Sequence, residues 1–320
     1  MRIAKAKIFL ERFEQMDHLL SVRNLSKAYN GKPAVDNISF DVRRHEIMGF
    51  LGPNGAGKTT AIRMILGILR PNGGEVSFFW NGEASALNKQ MVGYLPEERG
   101  LYDNAKVLDS LIYLAALKGV DGRTARARAI EWLELLKLSD YANHKLEKLS
   151  KGMQQKVQFI ATILHKPELV VLDEPFSGLD PINQDLFKEM ILKLREEGIT
   201  VLLSAHQMNV VQELCDRIFL INNGKAVLYG TLEEIRDQHK INQVVIEFTG
   251  EDNLERYLTG LRDASDVKVA GNRASLRLHT DMDVNQFIQE AGRHCTLKGI
   301  KVEKPQLHEI FIETVGGRSK

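Results

Sequence analysis

The sequence is poor in cysteine and has almost no net charge. Its two cysteines, Cys215 and Cys295, lie far apart and form no Cys-x-x-Cys pair, which excludes a disulfide framework and a thiolate metal site. The nine histidines also lack the close spacing of metal ligands. The formal charge is +1, from 43 basic and 42 acidic side chains, so we expect neither nucleic acid nor acidic lipid as a partner. Together these features predict a cytosolic protein.

Long apolar runs are also missing, since no segment approaches the ~20 residues that span a bilayer. The start of the chain carries acidic side chains and too short an apolar core for a signal peptide. We interpret it as a short amphipathic helix within an N-terminal extension, residues 1–18. Because the strand pattern begins at Leu19, Met16 is a second plausible first residue beside Met1, and the sequence leaves both open.

Residues 52–59 match the phosphate-binding pattern Gly-x-x-x-x-Gly-Lys-[Ser/Thr]. This stretch follows the apolar segment Ile47–Leu51, a predicted buried strand, and precedes apolar residues at helical spacing. Glycines let several backbone N–H groups face one anion, and the next helix adds the positive end of its dipole. A glycine-rich turn that binds nothing is the alternative, against which the flanking strand and helix argue. The predicted nucleotide contacts are Gly52, Pro53, Asn54, Gly55, Ala56, Gly57, Lys58, Thr59 and Thr60.

A second apolar strand, residues 169–172, ends in the carboxylates Asp173 and Glu174. Ligand sites lie at the carboxyl ends of buried parallel strands. We therefore predict that Asp173 and the Thr59 hydroxyl hold Mg²⁺, that Lys58 reaches the β- and γ-phosphates, and that Glu174 polarises an attacking water. The alternative to a metal and water site is a strand that simply ends in a solvated acidic turn. The phosphate loop earlier in the chain argues against this alternative.

The order of elements predicts two domains. Strands alternate with helices over residues 19–238, which predicts an α/β fold with a parallel sheet, the architecture of a P-loop NTPase. Within it, residues from about 104 to 166 are helical throughout and predict an inserted helical subdomain. After residue 240 the order becomes β-α-β-β-α-β, which predicts a small α+β, ferredoxin-like accessory domain over residues 240–320. We find no catalytic constellation in this second domain.

Further motifs follow the phosphate loop in a fixed order: residues 149–154 (Leu-Ser-Lys-Gly-Met-Gln), residues 173–175, residues 177–180 and His206. With these motifs the chain resembles the ATP-binding subunits of ABC transporters from residue 19 to about residue 230. The segment 94–102 and the additional C-terminal domain resemble the branch of that family that exports sodium, drugs or antibiotics.

The resemblance implies two ATP molecules, each with Mg²⁺, held between two subunits that face head to tail. One subunit presents the phosphate loop, while Ser150, Gly152 and Asp180 of the other subunit contact the nucleotide or its loop. It also implies that Tyr29 stacks on adenine and that His206 bridges the γ-phosphate and the attacking water. Considered alone, Ser150 is a helix cap, Tyr29 a surface aromatic residue and His206 a polar residue at a strand end.

Two sites depart from the family's pattern. Glu97 stands where most members have a glutamine that contacts Mg²⁺ and the water, and a glutamate there still binds metal while adding negative charge. We therefore keep Glu97 as a nucleotide and metal contact. Lys151 and Met153 replace the usual glycine and glutamine of the signature motif, whereas Ser150 and Gly152 are kept.

By this resemblance the sequence predicts an ATPase that drives transport, with export as the expected direction, through a separate integral membrane permease. Its catalytic residues are Glu174 as general base, His206 and Lys58. The chain is expected to work as a homodimer or with a paired ATP-binding subunit, as a peripheral protein on the cytoplasmic face of the cell membrane.

Two other protein classes compete with this interpretation. Soluble ABC ATPases of translation or DNA repair usually carry two nucleotide domains or a long coiled-coil insert, and this chain has one phosphate loop and no such insert. A GTP switch protein would need a guanine-reading Asn-Lys-x-Asp motif, which the sequence lacks.

Overall fold

A computed structural model describes residues 17–98, 100, 104–238, 241–249, 253–279 and 284–316. The amphipathic helix predicted at the start of the chain falls on residues before Asp17, which lie outside the described residues. Over the described ranges, no helix combines the length and apolar character that crossing a membrane requires. The chain divides into two compact units, Met1–Tyr229 and Gly230–Lys320.

The first unit contains two sheets, and the last strand, β10, ends two residues beyond its boundary. The strands are β1 (His18–Tyr29), β2 (Lys32–Arg43), β3 (Ile47–Leu51), β4 (Gly73–Trp80), β5 (Glu83–Ser85), β6 (Val92–Leu95), β7 (Leu169–Asp173), β8 (Thr200–Ala205), β9 (Arg217–Asn222) and β10 (Lys225–Thr231). The smaller sheet is antiparallel, with the order β2-β1-β4-β5. The larger has the order β10-β9-β3-β8-β7-β6, and its strands from β9 to β6 are parallel.

The central strands β3, β7 and β8 are buried along their whole length. Helices cover a parallel sheet on both faces, which is why these segments are apolar runs rather than alternating patterns. Their carboxyl ends meet at one edge of the sheet, where the phosphate loop follows β3. The sequence-based prediction of an α/β P-loop fold is confirmed.

The helices of this unit are α1 (Lys58–Ile65), α2 (Val107–Leu117), α3 (Gly122–Leu135), α4 (Lys151–Ile163), α5 (Pro181–Glu196) and α6 (Met208–Leu214), with short 3₁₀ turns at Ser139–Tyr141 and Leu146–Lys148. Helices α2, α3 and α4, which lie in the region predicted to be helical throughout, pack against one another. Asp121 caps α3 by accepting hydrogen bonds from the backbone N–H groups of Arg123 and Thr124.

An aromatic cluster joins the two sheets of the first unit. Phe40 on β2 lies with its ring centroid 4.6 Å from that of Phe219 on β9, and Phe219 stacks on Phe50 of β3 at 5.2 Å. All three side chains are almost completely buried. Because aromatic pairs contribute about 0.5–1.5 kcal/mol beyond the burial of their surface, this cluster fixes β3 and the loop that follows it.

The second unit consists of α7 (Leu232–Gln238), β11 (Ile241–Thr249), α8 (Asn253–Gly260), β12 (Ala264–Ala270), β13 (Arg273–His279), α9 (Val284–His294), β14 (Thr296–Glu303) and α10 (Leu307–Gly316). Its sheet has the order β12-β13-β11-β14 with antiparallel pairing throughout, the arrangement of a ferredoxin-like fold. The division at Gly230 precedes the predicted boundary because α7 contacts α10 and so belongs to this unit.

Candidate nucleotide-binding site

The phosphate loop needs glycine for its conformation and for its surroundings. Gly55 and Gly57 have positive φ angles of 78° and 108°, in the region that favours glycine. A Cβ atom at Gly57 would lie 2.3 Å from the carbonyl oxygen of Ala34 on β2. The loop therefore packs directly on the backbone of the smaller sheet.

The turn between β9 and β10 supports the loop from the same side. The Gly224 N–H donates to the Ala56 carbonyl at 3.0 Å, and the Gly224 carbonyl accepts from the Asp36 N–H at 2.8 Å. A Cβ at Gly224, whose φ is 77°, would lie 3.0 Å from the Ala34 carbonyl oxygen. Three segments that are distant in sequence thus meet at Ala34 and define the shape of the loop.

Lys58 is held inside the loop and is only 6% exposed. Its Nζ donates to the carbonyl oxygens of Gly52 at 2.8 Å and of Pro53 at 3.3 Å, and lies 3.1 Å from Glu174 Oε1. A buried ammonium group needs such partners because burial removes its hydration. The cation is thereby fixed beside the loop amides.

Glu174 links Lys58 to His206. Its Oε2 lies 2.8 Å from His206 Nδ1, and its backbone N–H donates to Ser204 Oγ at 2.9 Å. The φ angle of Glu174 is +50°, a left-handed conformation that costs of order 1–3 kcal/mol in a residue other than glycine. These contacts maintain the strained conformation, and strain of this kind is concentrated at functional sites.

The two carboxylate oxygens of Asp173 differ in their hydrogen bonding. Oδ1 accepts from Ser204 Oγ at 2.6 Å, whereas Oδ2 is buried without a hydrogen-bond partner among the described residues. Burial raises the pKa of the Asp173 carboxyl group, and the hydroxyls of Ser204 and Thr59 partly oppose this rise. A buried carboxylate oxygen without a partner, next to a threonine hydroxyl, fits a hard divalent cation.

The donor set suits Mg²⁺ in particular. No group of three or more His, Cys, Asp or Glu residues that could hold a metal occurs among the residues that the structure describes. Magnesium is usually bound by one or two carboxylates together with water and substrate phosphates, so a dedicated protein cage is not required. Thr59 and Asp173 are the residues that fit it here.

A cavity of about 290 Å³ lies between the loop and Glu174. Six of the nine predicted loop contacts line it, together with Glu97, which lies far away in sequence. Gly52, Pro53 and Ala56 of the loop do not line it. Its lining residues are Ala34, Asn54, Gly55, Gly57, Lys58, Thr59, Thr60, Glu97 and Glu174. We call this cavity, with Asp173 and His206 beside it, the phosphate-loop site.

Three predicted residues lie at the N-termini of α4 and α5, and two of them, Gly152 and Asp180, are next to Asn183. The Ser150 hydroxyl caps α4 by accepting from the Met153 N–H at 3.3 Å. Asp180 caps α5 by accepting from the Asn183 N–H at 3.0 Å, and hydrogen bonds from the backbone and side chain of Asn183 lower the pKa of its carboxyl group. A Cβ at Gly152 would lie 3.5 Å from Asn183 Nδ2.

We call Ser150, Gly152, Asp180 and Asn183 the Asn183 cluster. None of these four described residues lines the cavity of the phosphate-loop site. Tyr29, the predicted adenine contact, does not line it either; its side chain is 49% exposed and lies under the Lys27 ammonium group, 5.6 Å from the ring centroid.

Comparisons with known proteins identify the family of the chain. Residues 35–177 match the family description "ABC transporter", and residues 230–315 match "ATP-binding protein DrrA1-3-like, C-terminal domain". The uncharacterized ABC transporter ATP-binding protein YhaQ of Bacillus subtilis strain 168 is 42% identical over 301 residues, which are 93% of this chain and 99% of YhaQ. The chain belongs to the family of ABC transporter ATP-binding proteins.

Other members of the ABC family are similar over shorter or longer spans. The linearmycin resistance ATP-binding protein LnrL of Bacillus subtilis strain 168 is 32% identical over 307 residues, covering 93% of this chain and 98% of LnrL. The solved dimeric structure of MJ0796, a bacterial ABC transporter cassette, is 25% identical with a TM-score of 0.60 and covers 67% of this chain and 99% of that one. As a member of this family, the chain binds ATP and is an ATPase.

Two buried polar residues of this ABC ATPase were not predicted from its sequence. Ser204 is completely buried and contacts both Asp173 and Glu174, and Gln155 on α4 donates from Nε2 to the Pro175 carbonyl at 2.5 Å. A usable signal for Ser204 existed, since it is the one polar residue in the apolar segment 201–205. Gln155 offered no comparable signal, because it sits in a helix among other polar residues.

Proposed function

We propose that this chain is the ATP-hydrolysing subunit of an exporter and drives transport through a separate membrane-spanning permease. The observation that carries this proposal is the chain of contacts Lys58–Glu174–His206 beside the phosphate loop. The similarity to LnrL, whose name states resistance to linearmycin, supports export as the direction. In this role the chain acts at the cytoplasmic face of the cell membrane, bound to the permease.

Hydrolysis in such a site is positioning plus charge neutralisation. Lys58 and the loop amides bind the phosphates, and Glu174 acts as general base toward a water molecule, a role worth about 10²–10⁴ in rate. His206 holds the Glu174 carboxylate through Oε2. Thr59 and Asp173, with Glu97 nearby, would hold Mg²⁺, which when bound neutralises charge on the β- and γ-phosphates.

The Asn183 cluster supports head-to-tail dimerisation. Ser150 is exposed at the N-terminus of α4, where free N–H groups and the helix dipole favour an anion. Asp180 is exposed at the N-terminus of α5, where its own carboxylate supplies the negative charge. Because the cluster lies outside the cavity of its own phosphate-loop site, it is available to the nucleotide of a second subunit. The solved MJ0796 cassette is dimeric, which supports a dimer here, with a homodimer or a paired ATP-binding subunit as the two assemblies.

A Glu174→Gln variant tests the catalytic assignment. We expect it to bind ATP with Mg²⁺ and to release phosphate about 10²–10⁴ times more slowly, because the amide cannot accept the proton of water. A dimer should therefore accumulate when ATP is present. Size-exclusion chromatography measures this dimer, and phosphate release and nucleotide binding are measured on the same variant. Glu213→Gln is the matched control, since Glu213 pairs with Lys188 on the surface. Wild-type turnover in Glu174→Gln would disprove the assignment.

Affinity purification from membranes tests the transport role. We expect a polytopic membrane protein to co-purify with the chain, and the reconstituted pair to couple ATP turnover to solute movement in vesicles. Purification of the chain with ribosomes or DNA-repair proteins and without a membrane partner would instead identify a soluble ABC ATPase.

A further inference from the structure

The Ser204 hydroxyl lies between two consecutive residues of the phosphate-loop site. In the parallel register of β7 and β8, Ser204 stands opposite Asp173. Its Oγ donates to Asp173 Oδ1 at 2.6 Å and accepts from the Glu174 N–H at 2.9 Å. Ser204 is completely buried. One hydroxyl therefore contacts the side chain of one carboxylate residue and the backbone of the next.

The first contact determines which oxygen of Asp173 is available. Oδ1 is engaged by Ser204, and Oδ2 is the buried oxygen without a hydrogen-bond partner among the described residues. A carboxylate that can rotate would present either oxygen or turn away from the cavity. The hydrogen bond from Ser204 removes this freedom because it specifies one rotamer.

The second contact bears on the strained conformation of Glu174. Its φ angle of +50° points its N–H at Ser204, while its carboxylate extends to Lys58 at 3.1 Å and to His206 at 2.8 Å. A left-handed residue other than glycine persists only where its surroundings hold it. Two contacts are made to the Glu174 backbone: its N–H donates to Ser204 Oγ, and its carbonyl accepts from the Ser177 N–H at 3.1 Å. Of these two partners, Ser204 is the one that also contacts Asp173.

We propose that Ser204 is a positioning residue for ATP hydrolysis, which reserves Asp173 Oδ2 for Mg²⁺ and holds Glu174 in the conformation that directs its carboxylate to Lys58 and His206. This proposal rests on the proposed function. Ser204 acts through Asp173 and Glu174 and is buried behind them. The alternative is that the Ser204 hydroxyl has only a structural role, with its hydrogen bonds stabilising a core strand. The experiment must distinguish this role from positioning.

The experiment measures binding of a fluorescent ATP analogue to Ser204→Ala, with excess Mg²⁺ and with EDTA, together with kcat, KM and the melting temperature. We expect affinity in EDTA to stay unchanged because the phosphate loop is intact. The gain in affinity from Mg²⁺ and the value of kcat should each fall about 10- to 100-fold, the usual effect of removing a residue that orients a metal ligand. Ser204→Thr keeps the hydroxyl and should restore most of both.

Two further variants make the result decisive. Ser110→Ala is the matched control, since its buried hydroxyl on α2 has no hydrogen-bond partner among the described residues, and it should leave binding and kcat unchanged. If Ser204→Ala does not fold, Ser204→Cys replaces it, because a thiol keeps the volume but is a weak donor and acceptor. It should show the same loss of the Mg²⁺-dependent gain.

A lower melting temperature with wild-type kcat and a wild-type gain from Mg²⁺ would overturn the inference and leave Ser204 a structural residue. Lys58→Ala separates this failure from failure of the proposed function. Where Lys58→Ala loses ATP binding and Ser204→Ala does not differ from wild type, only the Ser204 inference is wrong. Where the wild-type protein itself shows no Mg²⁺-dependent ATP binding, both fail.

Discussion

The phosphate-loop site and the Asn183 cluster differ in how their polar groups are satisfied. In the phosphate-loop site Lys58 and Asp173 are 6% and 1% exposed, and the chain supplies nearly every partner itself. In the Asn183 cluster Ser150 and Asp180 are exposed, and each makes the hydrogen bonds of a helix cap. We propose that the first arrangement binds the nucleotide of its own subunit and that Ser150, in the second, faces an anion presented by another chain.

Among the substitutions that compare these two regions, the largest effect is expected from Lys58→Ala, which breaks the phosphate-loop site alone. Removing the ammonium group deprives the phosphates of a cation and leaves Glu174 without its ion-pair partner. We expect ATP affinity to fall and turnover to drop about 10²–10³-fold, as for the loss of one preorganised charge-stabilising group. Titration with a fluorescent ATP analogue and phosphate release measure this. The control Lys188→Ala removes a half-buried lysine of α5 that pairs with Asp185 and Glu213, outside the phosphate-loop site, and should change neither quantity.

A smaller effect is expected from Gly152→Asp, which breaks the Asn183 cluster alone. The nearest atom to an added Cβ is 3.5 Å away, an ordinary contact, so the fold should tolerate the change. The new carboxylate would repel phosphates offered by a second subunit. We expect ATP binding by the monomer to remain and turnover to fall about 10- to 100-fold, equivalent to about 1.4–2.8 kcal/mol.

The control for Gly152→Asp is Gly122→Asp, at the first position of α3, where an added Cβ meets nothing within 4 Å. Equal turnover in the two variants would mean that the Asn183 cluster does not act on nucleotide. The phosphate-loop site and the Asn183 cluster would then differ only in how deeply their side chains are buried.

The smallest effect separates the two roles of Ser150. Ser150→Ala loses the cap of α4 and should lower stability by about 0.5–2 kcal/mol. Ser150→Asp keeps a capping oxygen but adds a negative charge, so we expect wild-type stability with reduced turnover. Thermal unfolding and phosphate release measure the two effects. If Ser150→Asp hydrolyses ATP as fast as the wild type, capping is the whole role of Ser150.

The parts of the site that depend on neighbouring residues were predictable from the sequence. The loop around Gly55 and the carboxylates Asp173 and Glu174 each follow a buried strand, so local pattern and strand direction suffice to place them. The order of elements in the C-terminal unit was predictable for the same reason, because alternating and helical periodicities are local signals.

The parts that depend on pairing between distant segments were not predictable. The contact of Ser204 with Asp173 follows from the register of β7 and β8, which no local pattern specifies. The short strand β5 was missed because its three residues are exposed and carry no periodic signal. The support of the phosphate loop by Gly224 was missed as well, since the turn at Asn223 and Gly224 resembles any other hairpin turn.

That support has a practical consequence for engineering the protein. Exposed hairpin turns are the usual places to insert a tag, a fluorophore or a second domain, and Asn223 lies on the surface. Here the adjoining Gly224 is hydrogen-bonded to Ala56 and abuts Ala34, so a longer turn would push on the phosphate loop from behind. A fusion at this hairpin would therefore change nucleotide affinity, although the hairpin itself has no catalytic residue.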